Sequence, residues 1–333
     1  MQEAPLDDLD LQIIHALQLE PRVAWTALAP ILGTDAVTLS RRWERISGAG
    51  TAWLSAVRGS GEMVAAALVE FSCEPGRVLD VAHEAAQLPE IYSIDVTAGG
   101  RDLIATVVSR TDGALADLLL GRLGRVPGVR SVRTDIVTDV VRLGSDWTVQ
   151  ALTPAQQDRI PAPRPPRTGA AKSVTADLAG ALRRALEPNA RLPFRELGEQ
   201  VGVSAQRASD AVALLRRSGR LVLRTDVAAP FSSWPIAAWY FLQVPSAELG
   251  AARRELATMP AVQYAAIATG ASNMIVAAGA RRKDEVVRTE MEFARRIPGV
   301  RVQDRSMVLR VHKHLGRLLE PSGRASGAVV PLP

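Results

Sequence analysis

The stretch Gln87–Val108, "QLPEIYSIDVTAGGRDLIATVV", aligns with a second stretch at residues 258–279, "TMPAVQYAAIATGASNMIVAAG". The two stretches are 171 positions apart, and closer to the amino terminus the same kind of match occurs at a separation of 169. The matching pairs are Pro89 and Pro260, Gly99 and Gly270, Pro127 and Pro298, Gly33 and Gly202, and Gly50 and Gly219. A repeat this long predicts a tandem duplication of a whole domain pair rather than a solenoid.

The start of the first copy has the pattern of three short helices. In "LDDLDLQIIHALQLEP", residues 6–21, the apolar residues recur at helical spacing and acidic residues lie in the first turn. A second helix is predicted at about residues 26–32, with Pro30 delaying its start or kinking it. Gly33 is suited to end that helix, and Asp35 to cap a third helix that runs to about Ser47. This order predicts a helix-turn-helix.

The third helix, within "VTLSRRWERISGAG" at residues 37–50, has two chemically different sides. Leu39, Trp43 and Ile46 share one apolar stripe that we expect to pack on the other two helices. The candidate DNA-facing residues are Thr38, Ser40, Arg41, Arg42 and Arg45. The alternative interpretation is a solvated arginine face on an ordinary helical bundle.

The segment after the helix-turn-helix predicts a β-α-β-β-α-β order. Its strands are expected at residues 63–72, 91–97, 102–109 and 129–141, and its helices at residues 76–87 and 112–125. The second copy repeats the order from Ile236 to His312. The predicted fold class is therefore α+β, with two copies of a winged-helix-like helix-turn-helix followed by a ferredoxin-like αβ sandwich. The bare sheet face of each sandwich needs covering, which the other copy can supply.

The expected domain boundaries follow from this order. They are a helix-turn-helix domain at 1–58, a ferredoxin-like domain at 62–145, a proline-rich linker at 146–173, a second helix-turn-helix domain at 174–228, a second ferredoxin-like domain at 231–320 and a flexible tail at 321–333. The linker has no apolar periodicity, and its prolines favour an extended, semi-rigid chain.

Composition narrows the class of partner. The net charge is +5, and only three of the 40 basic residues are lysines, so arginine supplies nearly all the positive charge. Arginine suits bidentate contacts with phosphate or guanine. Cys73 is the only cysteine, which excludes an intrachain disulfide and a cysteine-based zinc site. The acidic amino terminus differs from a secretory signal, and the expected location is the cytoplasm.

The residues quoted above resemble the Lrp/AsnC (leucine-responsive regulator) family of transcription factors. The resemblance rests on the helix-turn-helix stretches, on "TAGGRD" at Thr97–Asp102, which is similar to a Gly-x-x-Asp loop, and on "VPGV" at Val126–Val129. It implies a DNA-binding head and a domain that dimerises and binds a small effector, often an amino acid. The effector-binding candidates that it implies are Gly99, Gly100 and Asp102, with Gly270 and Asn273 in the second copy. A plain turn between two strands would also account for these residues.

The second copy keeps the apolar stripe of the third helix and loses its arginines. At the 169 offset Arg41 corresponds to Asp210, Arg42 to Ala211 and Arg45 to Leu214. A carboxylate repels phosphate, so we expect weakened or altered DNA binding by this head. It either reads DNA through other side chains or serves as a structural partner. The candidate DNA-binding residues here are Gln206, Arg207, Ser209, Arg216 and Arg217. In the loop, Asn273 lacks the charge that would hold an ammonium group.

Other chemistry has weaker signals in this sequence. The "HKH" at His312–His314 lacks an identified third ligand, and a solvated strand end is the better interpretation, so no metal is expected. The sequence has no recognisable phosphate-binding glycine loop, nucleophile elbow or catalytic carboxylate pair, so no cofactor or catalytic residue is expected. Sirohaem decarboxylases resemble the same architecture, but their His- and Arg-bearing segment is missing from both quoted stretches. A sensor or scaffold that has lost DNA binding is a third possibility. The leading interpretation is a DNA-binding regulator with an internal pseudo-dimer of sensor domains, which further associates as a homo-oligomer.

Overall fold

The computed structural model describes residues 6–59, 65–169 and 171–332. The chain folds into two compact units, and each unit takes one segment from each half of the sequence. Unit 1 comprises residues 1–63 and 148–228, and unit 2 comprises residues 64–147 and 229–333. None of the helices in the described ranges is long and apolar enough to cross a membrane.

Unit 1 holds the two helical heads and the linker. Head 1 (residues 6–58) and head 2 (residues 174–228) each have three helices followed by one strand. The elements are α1 (Asp8–Leu19), α2 (Trp25–Leu32), α3 (Ala36–Gly48), β1 (Ala52–Arg58), α6 (Pro154–Gln157), α7 (Ala176–Leu186), α8 (Phe194–Val201), α9 (Ala205–Arg217) and β6 (Leu221–Val227). Pro30 lies inside α2, so of the two alternatives, a late helix start and a kink, the late start is excluded.

The strand of each head pairs with the strand of the other head. β1 and β6 form a two-stranded antiparallel sheet in which Ala52 is opposite Val227 and Arg58 is opposite Leu221. A winged helix would instead carry a hairpin within one head. The difference arises because each head supplies only one strand, whose backbone hydrogen bonds are completed by the other head.

The linker is more structured than its composition predicts. Val149 and Leu152 are buried, and their backbone N–H groups donate to Gln18 Oε1 and His15 Nδ1, at 2.9 and 2.8 Å. Burial lowers the pKa of His15 to about 4, so its ring is neutral at pH 7 and Nδ1 can accept. The proline content predicts a semi-rigid chain but not these contacts, because they join residues more than 130 positions apart.

Unit 2 contains two αβ modules with the predicted order of elements. The first module (residues 65–142) has β2 (Ala65–Cys73), α4 (Val78–Ala86), β3 (Ile91–Ala98), β4 (Leu103–Ser109), α5 (Asp112–Gly121) and β5 (Val129–Arg142). The second module (residues 236–314) has β7 (Ile236–Gln243), α10 (Leu249–Thr258), β8 (Val262–Ala268), β9 (Met274–Ala280), α11 (Asp284–Arg296) and β10 (Arg301–His314). Met63 and Val64, which the sequence places at the start of the first strand, lie outside the described residues.

The eight strands of the two modules form a closed circuit of pairings. The order is β10-β3-β4-β2-β5-β8-β9-β7, and β7 pairs again with β10. The two 14-residue strands close the circuit, because each pairs first within its own module and then continues into the other. β5 pairs with β2 and then β8, whereas β10 pairs with β7 and then β3.

Side chains along the strands of each module alternate between two faces, and both faces are buried. Ala67, Val69 and Phe71 pack with the helices of the first module, while Leu68 points to the other face. That inner face forms an apolar cluster shared by both modules, made of Leu68, Ile104, Trp239, Phe241, Ala268 and Ile275. Each module thus buries the inner sheet face of the other in this cluster.

The tail that the sequence predicts to be flexible contains a strand. β11 (Arg317–Leu319) and β12 (Ala325–Val329) are antiparallel, and β11 also pairs with the end of β10. Gly316 and Gly323, at φ 83° and 86°, form the turns. The local composition gave no sign of this strand, because its pairing partners lie outside the tail.

Candidate nucleic-acid interface and effector loops

Helix α3 has the geometry expected of a recognition helix. Gly33 has φ 70°, and the Asp35 side chain accepts from the Thr38 N–H at 2.8 Å to cap the helix. Leu39, Trp43 and Ile46 are all buried, so the predicted packing stripe is confirmed. The opposite side of α3 faces solvent.

Arg41, like Arg45, is an exposed arginine on that side. Its side chain has no ion-pair or hydrogen-bond partner among the residues that the structure describes. Val37, one turn earlier, is 61% exposed, and Glu44 is also exposed. Thr38 Oγ1 donates to Asp35 and Ser40 Oγ donates to Glu44 Oε1 at 3.0 Å, so both hydroxyls have local partners.

Arg42 and Arg45 are tied to the first helix of head 1. Arg42 Nη1 lies 2.6 Å from Asp7 Oδ2 and 2.9 Å from Asp10 Oδ1, and Arg45 Nη2 binds the other oxygen of Asp10. The hydrogen bond from Arg42 lowers the pKa of Asp7 below its usual value. These arginines therefore join α3 to α1, and their charges are largely neutralised by carboxylates.

Head 2 replaces this ionic network with apolar residues. At the 169 offset, Asp7 and Asp10 correspond to Ala176 and Ala179, and Arg42 and Arg45 correspond to Ala211 and Leu214. Acids and arginines are thus absent together. Loss of the arginines in head 2 has a structural explanation, and the sequence comparison alone does not make them DNA contacts.

The candidate residues on α9 are mostly covered. Ser209 is buried, so it does not lie on an open face as the sequence suggested. Arg207 Nη2 donates to the Ser173 carbonyl at 3.0 Å, and Gln206 Nε2 donates to Asp210 at 3.2 Å. Arg217 is exposed at the end of the helix.

Arg216 has a partner in head 1. It makes a bidentate ion pair with Glu20, with Nη1 to Oε1 at 2.9 Å and Nη2 to Oε2 at 2.7 Å. Glu20 is 4% exposed, so the pair is largely withdrawn from water. The expectation that Arg216 presents to DNA therefore does not fit, because this charge already serves the contact between the heads.

Two further arginines join the heads in a near-symmetric exchange. The Arg22 guanidinium lies 4.1 Å from the Phe194 ring centroid, and the Arg191 guanidinium lies 4.2 Å from the Trp25 ring centroid. Each also donates to carbonyls of the opposite head, such as that of Leu192 for Arg22. Burial lowers the pKa of both arginines to about 10.

The predicted effector residues Asp102 and Asn273 both bind backbone of their own modules. Asp102 Oδ2 accepts from the Cys73 N–H at 2.7 Å. Asn273 Oδ1 accepts from the Val244 N–H and its Nδ2 donates to the Val244 carbonyl, each at 2.8 Å. Val244 is the 171-offset counterpart of Cys73, so Asp102 and Asn273 make equivalent contacts with the backbone in the two modules.

The loop glycines allow close approach to the opposite module. A Cβ on Gly100 would lie 2.8 Å from Asp304 Oδ2, and one on Gly99, at φ 131°, would lie 3.0 Å from Ser306 Oγ. A Cβ on Gly270, at φ 103°, would overlap the Asp135 carboxylate. Packing between the modules accounts for glycine at these positions.

Arg101, which the sequence pattern did not single out, is the most highly connected residue of this loop. It is buried, and its guanidinium donates to Glu70 Oε2 at 2.8 Å, Ser306 Oγ at 2.9 Å and Asp304 Oδ2 at 2.9 Å. The guanidinium also lies 3.8 Å from the Phe241 ring centroid. Its place in "TAGGRD" was the available signal, but partners 203 and 205 positions away could not be deduced.

A second polar contact lies in the shared interior, and the histidines lie elsewhere. Trp239 Nε1 donates to Asp95 at 2.7 Å, and burial raises the pKa of Asp95 to about 6. The rings of His83 and His312 meet edge to face, with 6.2 Å between their centroids.

No metal site is found in the part of the chain that the structure describes. Within it, no three His, Cys, Asp or Glu side chains are grouped in a way that could hold a metal ion.

These features define a helix-turn-helix protein with αβ modules, and comparisons with known proteins match the head and the module of its first half. Residues 6–46 match the AsnC-type helix-turn-helix domain, and residues 66–145 match the Lrp/AsnC ligand binding domain. An uncharacterized HTH-type transcriptional regulator of Pyrococcus furiosus is 30% identical over 144 residues, which are 42% of this chain and 96% of the relative. The HTH-type transcriptional regulator FL11 of Pyrococcus horikoshii is 28% identical over 138 residues, 40% of this chain and 89% of the relative. The chain belongs to the Lrp/AsnC family of transcriptional regulators.

The likeness to a solved siroheme decarboxylase extends over nearly the whole chain. The siroheme decarboxylase NirDL superposes with a TM-score of 0.57 over 92% of both chains, at 16% sequence identity. At this identity the likeness concerns the fold alone.

Proposed function

We propose that this regulator binds DNA sequence-specifically through head 1, with Arg41 of α3 as the principal charged contact. The observation that carries the proposal is the state of Arg41, which is exposed and unpaired among the described residues, on the side of α3 that a recognition helix would present to a major groove. Arg42 and Arg45 then act mainly by fixing α3 against α1. Thr38 and Ser40 lie beside Arg41, and their hydroxyl oxygens, whose hydrogens go to Asp35 and Glu44, contribute as acceptors for base N–H groups.

The test compares Arg41→Ala with a matched loss of charge elsewhere. Duplexes selected from a randomised pool by the unmodified chain supply the binding site. Arg41→Ala should weaken binding by about 1–3 kcal/mol and reduce the salt slope by about one. Arg254→Ala removes an exposed arginine of α10 and should leave both quantities unchanged. Equal behaviour of the two variants would overturn the assignment to α3.

The chain's two modules support a further proposal about effector control. We infer that the two copies arose by tandem duplication and form an internal pseudo-dimer, and that unit 2 binds a small effector such as an amino acid. The match of residues 66–145 to a ligand binding domain supports this function. Since Asp102 caps a backbone amide, the exposed backbone at Gly99 and Gly100 is the better candidate contact for an effector carboxylate. Association of two chains would supply equivalent copies of head 1 for a symmetric operator.

A tetrapyrrole enzyme is the second candidate, favoured by the likeness to NirDL over 92% of both chains. The four histidines are residues 15, 83, 312 and 314, and none of them lies in either loop stretch between β3 and β4 or between β8 and β9. Incubation with an iron-uroporphyrin followed by gel filtration separates the candidates. A retained tetrapyrrole absorbance band would favour the enzyme over the regulator.

A further inference from the structure

The linker lies across the recognition helix of head 2. Arg41 of α3 and Asp210 of α9 are equivalent by the 169 offset, and Gly202 at φ 73° and the Ser204 cap reproduce the turn of head 1. Arg41 is exposed, whereas Asp210 is 6% exposed. The difference arises from linker residues that cover α9, and no residue of the described ranges covers α3 in the same way.

Arg167 makes the central contact of this cover. Its backbone N–H donates to Asp210 Oδ1 at 3.3 Å, and its Nε and Nη2 donate to Oδ2 at 3.2 and 3.1 Å. These bonds from Arg167 are the largest cause of a lowered pKa at Asp210. Further along, Ser173 accepts from Arg207 and Val174 is buried.

The charges on α9 suit a cationic segment better than a polyanion. Asp210 would face phosphate without a counter-charge if DNA replaced the linker. Arg167 supplies that counter-charge from within the chain, and its guanidinium forks onto the carboxylate as arginine does in specific ion pairs. The surface of α9 that corresponds to the proposed DNA-reading surface of α3 is thus complementary to the linker.

The linker is also held before it reaches α9, where its earlier residues contact head 1. Arg159 Nη2 donates to the Pro30 carbonyl at 3.0 Å, and Gln156 Nε2 donates to the Ile31 carbonyl at 3.3 Å. Between Arg159 and Arg167 the sequence "IPAPRPP" restricts the backbone. A tethered, stiffened segment has a high effective concentration at its docking surface.

We propose that residues 167–169 and 171–174 form a strap that occupies the DNA-facing surface of α9 in place of DNA. While the strap is seated, head 2 makes no recognition-helix contact with a groove, and each chain presents one reading head. The strap is an intramolecular competitor for α9, and its salt-screened ion pair at the half-exposed Arg167 is the contact that holds it.

Single-cysteine labelling of the full chain tests the strap, because Cys73 is buried and contributes little background. Val37→Cys and Gln206→Cys place thiols at equivalent positions of α3 and α9. Without DNA, maleimide should label Val37→Cys faster than Gln206→Cys. Adding Arg167→Ala should speed labelling at position 206 by about tenfold, as expected for losing a charge-assisted contact, and leave position 37 unchanged.

Arg164→Ala is the matched control, since Arg164 is an exposed linker arginine without a partner among the described residues. It should accelerate neither site. Equal labelling of the two thiols, or no response to Arg167→Ala, would overturn the strap. Hydrogen exchange of the unmodified chain adds an independent check, because the Arg167 amide should be protected and an unprotected amide would also overturn it.

The same thiols separate this inference from the function proposed for head 1. Duplex DNA should protect Val37→Cys from labelling, and failure there would count against DNA reading by α3. The labelling of Gln206→Cys without DNA does not depend on that result.

Discussion

Single residues in the two loops show how a chemically reasonable role can be displaced by a structural one. Asp102 has a carboxylate suited to an ammonium group, yet it caps the Cys73 amide. Asn273 does the same for Val244 with an uncharged side chain. This position therefore requires a hydrogen-bond acceptor that can reach the backbone N–H, and it does not require a negative charge.

The first prediction compares two substitutions at this residue. Asp102→Ala leaves the part-buried Cys73 N–H without its acceptor and should lower the free energy of unfolding by about 1–3 kcal/mol. Asp102→Asn should retain most of the stability, since Asn273 shows that an amide fits. Urea denaturation of the full chain measures both. If Asp102→Asn folds normally but abolishes binding of an amino-acid effector, Asp102 contacts the effector after all.

At the scale of the element, the packing of α1 on α3 explains why head 1 carries arginines that head 2 lacks. Asp10 is 1% exposed and is bound by Arg42 and Arg45. A buried carboxylate that loses its partners is strongly destabilising, whereas an apolar set of similar volume is often neutral. Head 1 keeps a buried carboxylate together with its two arginines, and head 2 has apolar residues at the equivalent positions.

The second prediction exchanges one solution for the other. Arg42→Ala with Arg45→Ala should destabilise head 1 by about 3 kcal/mol, because Asp10 stays buried without a cation. Adding Asp7→Ala and Asp10→Ala should restore most of the loss. Hydrogen exchange of α1 amides reports the local free energy of opening. Full retention of stability by the double arginine variant would contradict the network.

The pH dependence of this network has a definite sign. The pKa of Asp7 is lowered in the folded chain, so its contribution is present above its unfolded pKa of about 3.9 and is lost as pH falls through the folded value. The variant in which Asp7, Asp10, Arg42 and Arg45 are all replaced by alanine should therefore lose less α1 protection than the unmodified chain between pH 5 and pH 3.

Arg42 also holds α3 against α1. Weaker DNA binding by Arg42→Ala would therefore not by itself identify a DNA contact.

At the scale of the whole molecule, each compact unit is assembled from both halves of the chain. β1 needs β6, and the first module needs the second to close its sheet and cover Leu68 and Ile104. The contact between the modules also distinguishes the halves. In a pairing of two first halves, the 171 offset would place Arg133 where Asp304 now binds Arg101.

The third prediction concerns the separated halves. Residues 1–147 alone should not form a stable homodimer, because Arg101 would meet Arg133 instead of Asp304. Coexpressed with residues 148–333, they should assemble as a 1:1 pair. Gel filtration with light scattering measures both outcomes. A homodimer of residues 1–147 as thermally stable as the full chain would show that the duplication has not specialised the two modules.

The features that were predictable are those that depend on residues near one another in sequence. Helical spacing placed Leu39, Trp43 and Ile46 in a core, and Gly33 and Asp35 fixed the turn before α3. The internal repeat predicted that one module covers the other, since two equal bare sheet faces need a partner. The contacts of the linker were not predicted because their partners lie more than 130 positions away. The tail strand was missed although it pairs with residues only 6 and 12 positions away, because the tail has no strand pattern of its own.

The sequence by itself determined two unequal heads and two αβ modules, because periodicity and caps act over a few residues. Only the tertiary structure decided which arginine of α3 has no partner among the described residues. It paired Arg42 with Asp7, 35 positions away, joined Arg101 to Asp304, 203 positions away, and left Arg41 exposed. An ion pair depends on a few ångströms of spatial distance, which sequence separation does not specify. The role of each arginine therefore follows from the folded chain and not from its local pattern.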